Sequence, residues 1–215
     1  MNACLQKIQT ASEWDVGIDR FKNMLQGIAS AEQLIQKLGL DDEIILFLQN
    51  TNAGKATLLD FGCGSGRDTK YFIDNGYEVD AMDGSKELCK AATKYTGIQV
   101  QHMLFEDFNA SNAYDGIWAC ASILHLKKCE LPDMIKRLYQ ALKRNGVIYM
   151  SFKYGDFEGV RNGRYFTYLT EESFDMLMKP IHGFMKEKIW ITGDVRQDRG
   201  TEQWLNIILR KVTTI

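Results

Sequence analysis

The sequence predicts an α/β domain built on a mostly parallel sheet. Three observations carry this. Short apolar runs alternate with amphipathic stretches of helical length between residues 56 and 153. A glycine-rich loop, GCGSG, follows the first of those runs directly. Two runs of alternating polar and apolar residues close the chain, as an antiparallel hairpin would. With 215 residues, 45% of them hydrophobic and 25% charged, the chain is long enough for one packed domain.

The first 55 residues read as helical. Phe21, Met24, Leu25, Ile28, Leu34, Ile35 and Leu38 recur at spacings of three and four, and Gly39 is a natural stop. Asp41 or Asp42 can cap a second helix with Ile44, Ile45, Phe47 and Leu48 on its inner face. NTNAGK, residues 50–55, is a turn. Strands are then expected at Ala56–Phe61, Tyr77–Asp83, Ile98–Met103, Asp115–Cys120 and Val147–Phe152. Between them, helices are expected at Arg67–Asn75, Ser85–Tyr95 and Leu131–Arg144, the last with Pro132 in its first turn. Beyond strand five, Gly155–Gly163 reads as a polar loop and Thr170–Met178 as a helix. Thr170 is its cap, and Ser173 stands near the capping-box position. Lys186–Thr192 and Gln203–Val212 form the closing hairpin around GDVRQDRG.

Composition narrows the partners. The net charge is −2, whereas a domain that grips duplex DNA or long RNA usually carries a basic excess. Small molecules and proteins therefore lead. The five cysteines, at positions 4, 63, 89, 120 and 129, form no CxxC pair and give no zinc spacing, so no metal site is expected. Cys63, Cys89 and Cys120 read as buried free thiols, which suits a reducing compartment. The N-terminal residues have no apolar core of signal-peptide length, and no run approaches a membrane span. A cytoplasmic protein with no membrane partner is the expectation.

The chemistry concentrates in LLDFGCGSGR, residues 58–67. Ligands of open α/β sheets bind at the carboxyl ends of strands, where strand order reverses. Gly62, Gly64 and Gly66 allow a tight turn and close approach of a ligand to the backbone. A dinucleotide loop reads G-x-G-x-x-G because a pyrophosphate sits on it. This loop reads G-x-G-x-G after an acid, Asp60, which repels a pyrophosphate and favours a ligand carrying a cation. Asp83, at the end of strand two and 17 residues beyond Gly66, can accept two hydrogen bonds from a ribose diol. Such an acid serves a nicotinamide dinucleotide or S-adenosylmethionine equally. Glu106 or Asp107 beside Phe108 can meet an adenine amino group and cover its ring, or can be a solvated loop acid beside a core phenylalanine.

Four linked motifs, LLDFGCGSGRDTKYF, GYEVDAMDGS, FEDF, and YDGIWACASILHL followed by LKRNGVIYMSFK, resemble the class I S-adenosylmethionine-dependent methyltransferases in order and spacing. The wording is most similar to bacterial small-molecule methyltransferases of the tellurite-resistance or ubiquinone-biosynthesis type. The resemblance implies a Rossmann-like, seven-stranded sheet whose last strand is antiparallel. It also implies S-adenosylmethionine as cofactor. It carries the following roles: Asp60 meets the methionine ammonium, directly or through water; Gly62 and Gly64 lie against the methionine part; Asp83 holds the ribose; Glu106 or Asp107 with Phe108 frames adenine. Cys120 and Ala121 make main-chain contacts, and Cys63, Gly66, Arg67 and Gly84 complete the cofactor site. A lid tyrosine near the N-terminus, common among relatives, is absent, and Trp14 and Phe21 either substitute for it or pack on a helix face.

A small-molecule acceptor methylated by direct in-line displacement is the leading reading. The segment after strand four, ACASILHL, lacks the Asn/Asp-Pro-Pro-aromatic and Pro-Cys stretches of base methyltransferases. His125 is the candidate general base, or else a histidine held by the backbone. Lys153, Tyr154, Arg164 and Tyr165 are candidates for the substrate wall, with Lys153 or Arg164 suited to an anion. Arg196 and Arg199 flank the last hairpin at the pocket mouth or in solvent. Asp194 and Asp198 form no calcium-type cluster. Rival readings are an NAD(P)-dependent oxidoreductase, a cofactor-binding module without turnover, and a methyltransferase of RNA or protein. Oligomeric state is left open.

Overall fold

A computed structural model describes residues 41–51, 56–194 and 201–212. The expected helix over Phe21–Leu38, its stop at Gly39, the lid candidates Trp14 and Phe21, and Arg196, Asp198 and Arg199 lie outside the described residues. The elements, in chain order, are α1 (Asp41–Asn50), β1 (Thr57–Phe61), α2 (Arg67–Asp74), β2 (Glu78–Asp83), α3 (Lys86–Thr96), β3 (Gln101–His102) and β4 (Tyr114–Ala119). There follow α4 (Leu131–Ala141), β5 (Leu142–Lys153), β6 (Glu158–Arg161), β7 (Arg164–Thr167), α5 (Glu171–Met178), β8 (Phe184–Gly193) and β9 (Gln203–Lys211). Seven strands form one sheet in the order β3-β2-β1-β4-β5-β9-β8. The first five are parallel, while β9 runs antiparallel to β5 and β8 antiparallel to β9. Strand order reverses between β1 and β4, which opens a crevice at their carboxyl ends.

The period-two alternation of strands divides the apolar residues between two faces. Leu59 and Phe61 of β1, Ile117 and Ala119 of β4, and Ile148, Met150 and Phe152 of β5 join one core with Ile135 and Leu138 of α4. Leu58, Trp118, Val147 and Tyr149 point the other way. They pack with Ile44 and Phe47 of α1 and Phe72 of α2. The Trp118 and Tyr149 rings stack at 4.0 Å, and Phe47 tilts onto Trp118 at 5.3 Å. Burying aromatic rings of this size on both sides of the central strands fixes their register.

Helix ends follow the sequence closely. Ser85 caps α3 by accepting from the Leu88 N–H, and Gly97 ends it at φ 81°. Thr170 and Ser173 form a capping box at α5. Three expectations need correction. The strand expected over Ile98–Met103 is confined to Gln101–His102. The helix expected over Leu131–Arg144 stops at Ala141, because Leu142 already pairs with Tyr114 in the sheet. The polar loop at Gly155–Gly163 contains β6, which pairs with β7 as a separate hairpin turned at Asn162-Gly163. Thr167 anchors that hairpin to the sheet's crevice side, donating to the Leu126 carbonyl at 2.7 Å.

Candidate cofactor and acceptor cleft

The cleft opens where β1, β2 and β4 end. Its walls are Gly62, Gly64, Asp83, Gly84, Leu88, Leu104, Phe105, Ala121, Ser122, His125 and Arg164. The glycine loop is held from below. The N–H groups of Gly62 and Cys63 both donate to the Met82 carbonyl at 2.9 Å, and Gly66 N–H donates to Cys63. Gly66 enters α2 at φ 85°, and a Cβ there would stand 2.7 Å from the Thr96 methyl. These contacts tie the loop to β2 and α3 before any ligand arrives.

Asp83 is the pivot of the cleft. Its Oδ2 accepts from Gly64 N–H and its Oδ1 from Ser85 N–H, both at 2.8 Å. Burial pushes this carboxyl up, against the two N–H donors and the Arg164 charge, which favour the ionised form. Each carboxylate oxygen has lone-pair capacity beyond one N–H, so a diol can bond to a carboxylate already fixed in place.

Asp60 takes a different position from the one expected. It lies on the same face of β1 as Leu58, 3% exposed, and accepts from Thr69 Oγ1 of α2 at 2.5 Å. It does not line the cleft, so it offers no direct contact with a ligand ammonium. Burial and the adjacent Asp68 raise its pKa to about 8. Arg67 likewise turns away, clasping Asp68 through Nε (2.5 Å) and Nη2 (2.9 Å), while Trp118 Nε1 donates to the same carboxylate at 2.8 Å.

The adenine wall is displaced along the chain. Phe105, not Phe108, faces the cleft, together with Leu104 and Leu88. Phe108 is buried edge-on against Phe61, which stacks on Phe105 at 4.9 Å. Glu106 and Asp107 are exposed in the 3-10 turn, and Arg137 donates to the Glu106 carbonyl. Leu88 and Leu104 had no sequence signal beyond their place next to motif residues.

After β4 the chain bends sharply. Ala121 holds φ 49°, and its N–H donates to Ser151 Oγ at 2.8 Å. That bend turns Ser122 into the cleft wall, against Gly62. Cys120 sits outside the cleft, with Ser151 Oγ 3.9 Å from its sulfur, and Cys63 points to the α3 side. Ser122, which the sequence did not single out, has its hydroxyl buried without a hydrogen-bond partner. A buried orphan hydroxyl is costly unless something bonds to it.

His125 lines the cleft, with Nδ1 2.7 Å from the Tyr165 carbonyl. A carbonyl only accepts, so Nδ1 carries the proton and the neutral tautomer leaves Nε2 as the acceptor nitrogen. Burial pushes the imidazole pKa down to about 4. Arg164 also lines the cleft, whereas the other substrate candidates do not. Tyr165 contributes its carbonyl, and its hydroxyl donates to Glu158 at 2.9 Å. Tyr154 is placed by its N–H on the Gln203 carbonyl. Lys153 is buried in ion pairs with Asp194 and Glu202 and lies over the Trp204 ring. Among the described residues no group of histidines, cysteines and acids has metal-binding geometry.

These residues fit S-adenosylmethionine. A Cβ on Gly64 would meet no protein atom within 4 Å, which leaves room for a ligand against that backbone. Asp83 suits the ribose, the apolar wall suits adenine, and the buried Ser122 hydroxyl lacks a partner that a polar ligand can supply.

Comparison with known proteins agrees. Residues 58–146 match the methyltransferase domain family. A malonyl-acyl-carrier-protein O-methyltransferase of Enterobacter lignolyticus is 34% identical over 98 residues, which are 43% of this chain and 37% of that protein. An uncharacterised methyltransferase of Staphylococcus carnosus is 30% identical over 104 residues, 48% of this chain and 49% of its own. The chain thus spans about half or less of the length of these curated relatives. Among solved structures, the Burkholderia thailandensis 1,6-didemethyltoxoflavin-N1-methyltransferase, bound to its substrate and S-adenosylhomocysteine, superposes with a TM-score of 0.71. It is 19% identical, covering 94% of this chain and 87% of that one. A cyclase shares the fold at a TM-score of 0.72 and 15% identity, covering 96% and 98%. Residues 58–146 thus carry a methyltransferase domain, and the sheet order is the Rossmann-like one of the S-adenosylmethionine-dependent methyltransferases among its structural neighbours.

Proposed function

We propose that this protein transfers a methyl group from S-adenosylmethionine to a small-molecule acceptor by direct in-line displacement, as a single cytoplasmic domain. The observation that carries the reading is Asp83, a cleft carboxylate held by the N–H groups of Gly64 and Ser85. S-adenosylmethionine supplies an electrophilic methyl group on a sulfonium. The protein's own residues align and shelter the reaction. Asp83 accepts the ribose hydroxyls. Leu88, Leu104 and Phe105 exclude water from the adenine. The Gly62–Gly66 turn presents bare backbone to the methionine part. Ser122, His125 and Arg164 line the rest of the cleft, where the acceptor enters.

One neighbour supports a small acceptor by name, the 1,6-didemethyltoxoflavin-N1-methyltransferase, whereas the malonyl-acyl-carrier-protein O-methyltransferase acts on a group carried by a protein. A net charge of −2 supports an acceptor other than nucleic acid. No described helix is long and apolar enough to cross a membrane. The cyclase neighbour makes turnover the necessary test, since one fold hosts several chemistries. Calorimetric titration with S-adenosylmethionine and, separately, NADH should show binding of the first alone. S-adenosylhomocysteine should then form only when an acceptor is present. Binding of NADH alone would replace this reading with an oxidoreductase.

A further inference from the structure

The turn that carries the ribose acid is gripped from outside the cleft as well as from within. Asp83, Gly84 and Ser85 form that turn, between β2 and α3. The peptide unit that joins Gly84 to Ser85 is bonded at both ends. Its N–H donates to Asp83 Oδ1 at 2.8 Å. Its carbonyl stands 3.1 Å from Nε2 of His102, the last residue of β3. We propose, resting on the cofactor reading above, that His102 is a positioning residue of the cofactor site: through the Gly84–Ser85 peptide it fixes the Asp83 carboxylate in the orientation that receives the ribose.

The geometry follows from the peptide itself. It is trans, so its carbonyl and its N–H point in opposite directions. His102 and Asp83 therefore stand on opposite sides of it, Asp83 in the cleft lining and His102 outside that lining. A carbonyl only accepts, so Nε2 carries a proton and His102 is the donor. Donation to the carbonyl polarises the peptide and strengthens the bond that its N–H makes to Asp83. Strand pairing brings His102 within reach. Asp83 and His102 are register partners of β2 and β3, and the Met103 N–H donates to the Asp83 carbonyl at 3.0 Å.

The same turn governs both parts of a bound nucleoside. Gly84 lines the cleft beside Asp83, and Ser85 Oγ accepts from the N–H of Leu88, which belongs to the apolar wall. Rotation of the Gly84–Ser85 peptide would break the Asp83 bond. His102 opposes that rotation, because the carbonyl would lose its donor. Charge acts in the same sense. Burial pushes the Asp83 carboxyl up, while the Ser85 and Gly64 N–H groups, the Arg164 charge and His102 favour the ionised form that accepts from hydroxyls. His102 is itself exposed on a two-residue strand at the sheet edge, so its ring is not needed for packing.

The test is calorimetric titration of S-adenosylmethionine and S-adenosylhomocysteine into the full chain and its His102 variants. His102→Leu removes the donor and should raise Kd about threefold to tenfold, the effect of one hydrogen bond. His102→Ala, which adds no apolar bulk, should show the same rise. His102→Gln keeps an N–H at similar reach and should recover most of the loss, which a merely structural role for the ring would not allow. In the Asp83→Ala background, His102→Leu should add little, because the group it positions is gone. Unchanged affinity in both His102→Leu and His102→Ala, no recovery in His102→Gln, or an undiminished loss in the Asp83→Ala background would each overturn the proposal. Failure of the wild type to bind either ligand would instead strike the placement of the cofactor, and this proposal with it.

Discussion

Replacing Gly62 and Gly64 separately by alanine should divide the glycine loop into a structural position and a ligand position. Both hold left-handed backbone, at φ 85° and 57°. A Cβ in that region costs about 1–2 kcal/mol. At Gly62 it would also stand 2.5 Å from Ser122 Cβ and 3.3 Å from its Oγ, inside a packed wall. Overpacking adds about 1–3 kcal/mol, so Gly62→Ala should lose about 2–5 kcal/mol of stability. At Gly64 the new methyl meets no protein atom, and the loss should stay near the 1–2 kcal/mol of backbone strain. That methyl would instead occupy the space against which a ligand lies, weakening S-adenosylmethionine binding by about tenfold or more, ~1.4 kcal/mol. Urea denaturation reads the first effect and calorimetric titration the second. Equal stability of the two variants, or unchanged affinity in Gly64→Ala, would refute the reasoning.

Asp60→Asn should be tolerated, because an amide can still accept from Thr69 and the side chain does not line the cleft. The raised Asp60 pKa means that the folded protein keeps a proton the unfolded chain releases. The carboxyl therefore costs stability as pH climbs from about 3.8 to about 8, and the variant should lose less over that range in urea melts. Affinity falling more than tenfold in Asp60→Asn would restore this residue to the ligand site. His125 gives the opposite slope. Its folded pKa lies near 4 against 6.5 in the unfolded chain, so its contribution is present above 6.5 and lost as pH falls through 4. The span corresponds to about 3 kcal/mol, and a melt series on His125→Gln should lack it. Lys153→Met should destabilise by about 3 kcal/mol, because Asp194 is left buried without its cation; a change below about 0.5 kcal/mol would contradict the ion-pair account.

The sheet was legible in the sequence because alternation, glycine stops and caps all agreed. Ser85, Gly97 and the Thr170–Ser173 box stand where residue types predict. Asp83 and Ala121 reached the cleft for the expected reason, as they end strands beside the point of order reversal. Motif reading let Asp60 meet the ammonium directly or through water, and period-two alternation already turns it away from direct contact. It shares a face with Leu58 and so turns towards α2. Phe105 and Phe108 were exchanged because a 3-10 turn decides which ring faces inward, and three residues carry no clear periodicity. Lys153 looked like a substrate residue until its partners were known, and Asp194 and Glu202 stand just after β8 and just before β9, 41 and 49 residues away. Ser122 carried no signal, since an orphan hydroxyl is a property of packing. The β6–β7 hairpin was hidden by its polar composition, for it pairs apart from the main sheet.

The most direct test of the account is titration of S-adenosylmethionine into the wild-type protein and Asp83→Ala. The carboxylate that fixes Gly64 and Ser85 also awaits the ribose, so its removal should cost at least about 2 kcal/mol, some thirtyfold in Kd. Thermal denaturation without cofactor should show both proteins folded. Tight binding to the wild type and weak binding to the variant is the predicted result. Equal affinity in the two would contradict the placement of the cofactor in this cleft.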